Sequence, residues 1–171
     1  MKNIVSAVVL LILVASCQQQ QKIAFIDNGE VINKYQMKID IEDKYKLKDD
    51  DFKKRMDSVG RDFQIEAQAF QAESQKLSQA KMQERYQELG QKRQVLEQRF
   101  QMEQQSMTEA FNTEMDSVVS KVKEFVADYG KTNGYTFILG KNEAGSVMYG
   151  KESEDITESI ITALNEDYKP E

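Results

Sequence analysis

The stretch Phe63-Gln64-Ile65-Glu66-Ala67-Gln68-Ala69-Phe70-Gln71-Ala72-Glu73-Ser74-Gln75-Lys76-Leu77-Ser78-Gln79-Ala80 decides how this chain is read. Met56, Phe63, Phe70 and Leu77 recur every seven residues, the spacing of a helix that winds against a partner helix. The frame stops at Leu77, because the next apolar positions, Met82, Tyr86, Leu89, Leu96 and Phe100, do not continue it. Between Gln75 and Ala80 the one large apolar side chain is Leu77, and Ser78 is of a type that caps a new helix. A hairpin tip is therefore predicted near residues 76–80.

Working outward, no proline occurs from about Ile39 to Tyr129, and only Gly60 and Gly90 interrupt a run of helix formers. Left straight, such a helix of ~90 residues would be roughly 135 Å long at 1.5 Å per residue. Folded at the tip it gives two antiparallel arms of about 40 and 50 residues, within about residues 39–130. Phe111, Val118 and Phe125 form a second heptad column, with Met115, Val122 and Tyr129 beside it. A row of glutamines at 64, 68, 71, 75, 79, 83, 87, 91, 94, 98, 101 and 105 advances by steps of three or four, so it is a continuous stripe on a helical surface. Met56, Phe63, Phe70, Leu77, Met82, Tyr86 and Leu89 are candidates either for the seam between the arms or for contact with a bound partner.

The two ends read differently. Lys22-Ile23-Ala24-Phe25-Ile26-Asp27 is a short strand over about residues 22–27, followed by a turn at Asn28-Gly29. Two more strands are expected at about residues 135–140 and 146–149, with Gly140 to Gly145 turning between them. A helix over about residues 155–166 closes the chain, with Ile156, Ile160, Ile161 and Leu164 as its apolar stripe. The expected fold class is mainly α with a small β body: a long antiparallel helical hairpin attached to a short-stranded sheet.

The N-terminus carries an address. Lys2 precedes an apolar run from Ile4 to Ala15, shorter than the ~20 residues needed to span a membrane and of the form of a secretory signal peptide. It ends Leu13-Val14-Ala15-Ser16-Cys17, which resembles a bacterial lipobox, and Cys17 is the one cysteine of the chain. Residues 1–16 are thus read as a lipoprotein signal peptide, Cys17 as the acylated new N-terminus, and residues 17–21 as anchor and polar tether. The domain proper is residues 22–171. Gln18 follows the cysteine where enterobacterial lipoproteins retained at the inner membrane carry Asp, and that resemblance implies the outer membrane.

Composition removes most chemistry. The 171 residues contain no histidine, one proline and eight glycines, with 23 Lys and Arg against 29 Asp and Glu, a formal net charge of −6. Without histidine the commonest acid–base group and metal ligand is missing, and a net acidic chain is a poor nucleic-acid binder. Gly145-Ser146-Val147-Met148-Tyr149-Gly150-Lys151 has the letters of a phosphate loop, but Glu152 stands where a hydroxyl should reach Mg²⁺. Asp49-Asp50-Asp51 is a solvated helix surface, since consecutive helical residues do not share a face. An enzyme, a metal site, a cofactor and a nucleotide are not expected.

A lone first strand, a long Gln-rich hairpin, then short strands and a last helix is an unusual order. On Lys22–Asp27 with Gly29, Tyr135-Thr136-Phe137-Ile138-Leu139 and Asp155-Ile156-Thr157-Glu158-Ser159-Ile160, the chain resembles the OmpH-like (Skp) family of periplasmic chaperones. That resemblance implies an ATP-independent holdase for unfolded outer-membrane or envelope proteins, built as a homotrimer whose hairpins surround a cavity. Ile23, Phe25, Phe137, Leu139 and Val147 would supply the trimer body. Family arms are often basic, whereas here acidic and basic groups nearly balance, so apolar and glutamine contacts must do more. Cys17 adds a membrane anchor on the periplasmic side. The alternative is a structural coiled-coil lipoprotein that spaces or bridges envelope layers.

Overall fold

The computed structural model describes residues 21–170. The expected signal peptide, the expected acylation site Cys17 and the expected tether up to Gln20 lie outside them. The elements are β1 (Ile23–Asp27), α1 (Asn28–Lys34), α2 (Gln36–Glu73), a 3₁₀ turn (Ser74–Lys76), α3 (Gln79–Thr132), β2 (Phe137–Lys141), a second 3₁₀ turn (Glu152–Glu154) and α4 (Thr157–Asp167). The class is mainly α with a small sheet, as expected. The described residues form two compact units. One comprises residues 21–31 with Val122–Asp167, the other Ile32–Lys121 with residues 168–170.

In the first unit β1 and β2 pair in parallel, Ile23 opposite Phe137 through Asp27 opposite Lys141. A parallel pair needs a crossover connection, and here everything from α1 to the end of α3 serves as it. The second edge of β1 is taken by Asp155, bridged to Phe25, and by the Ile156 N–H, which donates to the Phe25 carbonyl at 3.0 Å. Ala24 and Ile26 are buried on one face of the strand, and Ile160, Ile161 and Leu164 of α4 are buried as the apolar stripe foresaw. Thr157, itself buried, accepts a hydrogen bond from the Asp27 N–H at 2.9 Å, which locks the start of α4 to the end of β1. The Asp27 carboxylate in turn accepts from the Glu30 N–H at 3.0 Å and caps α1. At the end of α3, Gly134 takes φ 70°, the Tyr135 N–H reaches the Gly130 carbonyl at 2.9 Å, and the Gly134 N–H reaches Lys131. This glycine-terminated Schellman arrangement turns the chain into β2.

The strand expected at 146–149 does not form. Asn142 ends β2 in a turn: its carbonyl accepts from the Gly145 N–H at 3.0 Å, and its Oδ1 accepts from the Ser146 N–H and hydroxyl. Gly145 adopts φ 82° there. Those bonds withdraw Ser146 from any ladder, and the following Met148 and Tyr149 are 89% and 85% exposed. The sheet therefore has two strands among the described residues.

The second unit holds the hairpin. Its seam is marked by edge-to-face rings: Tyr45 with Phe111 at 5.2 Å, Phe52 with Phe100 at 5.9 Å and Phe70 with Tyr86 at 4.8 Å. Residue numbers rise on α2 as they fall on α3, which makes the arms antiparallel. The chain reverses at the 3₁₀ turn, Leu77 is extended (φ −91°, ψ 151°), and the Lys81 N–H donates to Ser78 Oγ at 3.4 Å as α3 begins. Near the other end of the hairpin, Tyr168 packs edge-on to Tyr35 at 5.6 Å and donates its hydroxyl to Asp40 at 3.0 Å.

Candidate interaction surface

The arms are long for the seam they share. Along α2 the buried positions are Ile41, Tyr45, Phe52 and Phe70, and along the hairpin part of α3 they include Leu89 and Val118. Of the residues singled out by periodicity, Phe70 and Leu89 are buried, Phe63, Leu77 and Met82 are half-buried, and Met56 and Tyr86 are exposed. Tyr45 and Phe52 were missed. Their signal is a second heptad column, Tyr45-Phe52-Val59, which Glu66 breaks one step later. In the body, Ile23, Phe137 and Leu139 are exposed, Val147 is half-buried and Phe25 is buried.

Among the described residues, three ion pairs join the arms: Lys44 with Glu114 at 2.6 Å, Arg55 with Glu103 at 2.5 Å, and Lys92 with Glu66. Their positions on α2 (44, 55, 66) and on α3 (92, 103, 114) are each eleven residues apart, three full helical turns. At about 100° per residue, these residues sit about 40–80° to one side of Phe52 on α2 and of Phe100 on α3. The glutamine row sits about 60–180° to the other side on both helices. In an antiparallel pair, equal rotation on the two helices lands on the same side. The hairpin thus has an ionic face and a glutamine face. Within the row only Gln105 is tied to another side chain, donating to Glu109 at 2.8 Å.

The glutamine face is also the grooved one. Near the tip a groove of about 420 Å³ is lined by Gln79, Met82, Gln83, Tyr86 and Gln87. Farther along, a groove of about 330 Å³ is lined by Tyr45, Met107 and Phe111 with Glu42, Lys46, Asp49 and Thr108 around them. Thr108 is the next step of the row after Gln105, and Lys46 and Glu42 continue the α2 row backward by threes and fours. Both grooves therefore open on one face.

Electrostatics reinforce the clasp. Glu114 accepts from Lys44 and, at 2.9 Å, from the Tyr45 hydroxyl. The Lys44 bond holds the Glu114 carboxyl below the ordinary range, against a smaller opposing effect of burial. Burial, then the bond to Glu114, pushes the Tyr45 phenol up. Arg55 likewise lowers Glu103. Among the described residues no cluster could hold a metal ion, and no helix is long and apolar enough to cross a membrane.

The family model described as outer membrane protein (OmpH-like) matches residues 22–164, from the residue before β1 to the buried Leu164 of α4. The chain belongs to the OmpH-like family. A crystal structure of an OmpH-like protein from Caulobacter crescentus CB15, proposed to be an outer membrane chaperone, is similar with a TM-score of 0.78 over 88% of each chain. At 13% identity this likeness speaks to the fold. No curated protein matches the sequence. The OmpH-like match takes in both units, so the strands and the hairpin belong to one family pattern.

Proposed function

We propose that this OmpH-like chain is an ATP-independent holdase for unfolded outer-membrane or other envelope proteins. In this reading it acts in the periplasm as a homotrimer, held by acylated Cys17 at the periplasmic face of the outer membrane. The observation that carries the reading is the hairpin surface. Two long helices share a thin seam while Leu47, Ile65, Tyr86, Val95 and Met102 stay exposed. Scattered apolar groups among neutral amides suit many weak contacts with a chain that must later be released. The trimer is supported by the sheet: Phe137 and Leu139 are 54% and 45% exposed on one face of β2, beside an edge with no partner strand among the described residues, and such edges need cover.

The test is dilution of a urea-unfolded β-barrel protein into excess chaperone, followed by light scattering. Suppression of aggregation that ATP does not change is expected. Removal of matched lengths around the tip, about residues 63–93, should abolish it. Equal protection by the shortened protein would favour the envelope-spacer role instead.

A further inference from the structure

The holdase reading leaves open what part of a client the hairpin grips. The two grooves narrow it. Their α3 residues centre near positions 83 and 109, about 26 residues apart, or about 39 Å at 1.5 Å per residue. Along the path between them run Gln87, Gln91, Gln94, Gln98, Gln101 and Gln105. A glutamine amide offers a donor and an acceptor, the same pair that an unpaired backbone amide presents. The amides of the row are neutral, and charges flanking it are paired with each other, Arg93 with Glu97 at 3.5 Å and Lys53 with Asp49 at 2.5 Å. Gripping a chain on the amides therefore leaves those exposed ions in water. The ionic face is a poor alternative, because its charges are already engaged across the arms.

An extended chain rises about 3.3 Å per residue, so about twelve residues link the grooves. Membrane β-barrel strands have a matching period. Their apolar band is about 25 Å tall, tilted about 40°, with aromatic girdles at both ends. Along the strand the girdles are therefore at least about 33 Å apart. Resting on the holdase reading, we infer that the glutamine face is a track for one extended, unfolded transmembrane β-segment. One girdle aromatic sits in the groove of Met82 and Tyr86 and the other in the groove of Tyr45, Met107 and Phe111. The backbone between them hydrogen-bonds to the glutamines. Holding the two girdles apart keeps the segment from collapsing on itself.

The experiment uses the full-length purified protein and two fluorescent fourteen-residue peptides of one composition, with aromatic pairs eleven or five residues apart. Anisotropy is expected to show at least tenfold tighter binding of the long-spaced peptide. Tyr86→Ser and Met107→Ser should each erase that preference while circular dichroism shows the helices intact. In parallel, a photo-crosslinking residue at Gln101 should capture an unfolded barrel protein, and one at Ser106 on the ionic face should not. Equal binding of the two peptides, or stronger capture from Ser106, overturns the track. Where aggregation is still suppressed in that case, the holdase reading stands without it; where aggregation is not suppressed either, both fall.

Discussion

Gly150 shows how much one residue can hold in place. A Cβ there would lie 2.3 Å from Cε1 and 2.8 Å from Cδ1 of Phe25, a residue that is itself buried. A buried, close-packed ring has little free space into which to move. Gly150→Ala should therefore destabilise the strand unit by about 1–3 kcal/mol, the usual cost of overpacking, measured by denaturant unfolding at fixed protein concentration. Neither the role of this glycine nor the loss of the third strand was legible in the sequence, because Val147-Met148-Tyr149 has good strand composition and only the Asn142 turn diverts it. The expectation that Cys17 is acylated rests on its neighbours in the sequence alone. Cys17→Ser should leave the protein unacylated, and intact-mass spectrometry of the wild type showing an acylated Cys17 as N-terminus is the check.

At the scale of the element, the hairpin combines ring pairs with half-exposed ion pairs, each weak and screened by salt. The two lowered carboxyls give the pH dependence a sign. Arg55 lowers Glu103 and Lys44 lowers Glu114, so protons bind the separated arms more readily than the closed ones. The stabilisation is complete above the ordinary glutamate value of 4.5 and is lost as pH falls through the lower, folded values. Spin labels on Asp57→Cys and Gln101→Cys, in a Cys17→Ser background, should report a narrow distance at pH 7 and a broader one below pH ~4. High salt should act in the same direction. The heptads in the sequence correctly pointed to a paired helix, but they did not reveal this ladder. An eleven-residue spacing of opposite charges becomes visible only when the register between two arms is known, and the turn at Ser74–Ser78 sets that register.

For the whole molecule the expected assembly is through the sheet. Phe137→Asp places a charge on the exposed face of β2, beside Leu139 and Ile23. Burial of one large apolar side chain is worth about 1.5–3 kcal/mol, and the loss recurs in every copy. Light scattering should find a trimer for the wild type and a monomer for this variant at micromolar concentration. Persistence of the trimer would move the interface away from β2.

Taken alone, the amino-acid order determined what is local or periodic. Heptads and the absence of proline dictate long helices, and the cap at Ser78 dictates where they break. The short apolar run of Ile23 to Ile26 dictates a buried strand, and the apolar stripe of α4 dictates which of its sides is buried. These follow because helix and strand periods write themselves directly into residue spacing. The tertiary structure alone decided what depends on juxtaposition. Parallel pairing of β1 with β2 brings together residues more than a hundred positions apart. The turn at Ser74–Ser78 sets the arms in the register that the ring pairs then occupy, and that register divides the hairpin into an ionic face and a grooved glutamine face. No spacing within one helix encodes which side of it a second helix will cover, because that choice is made by packing energy between the two.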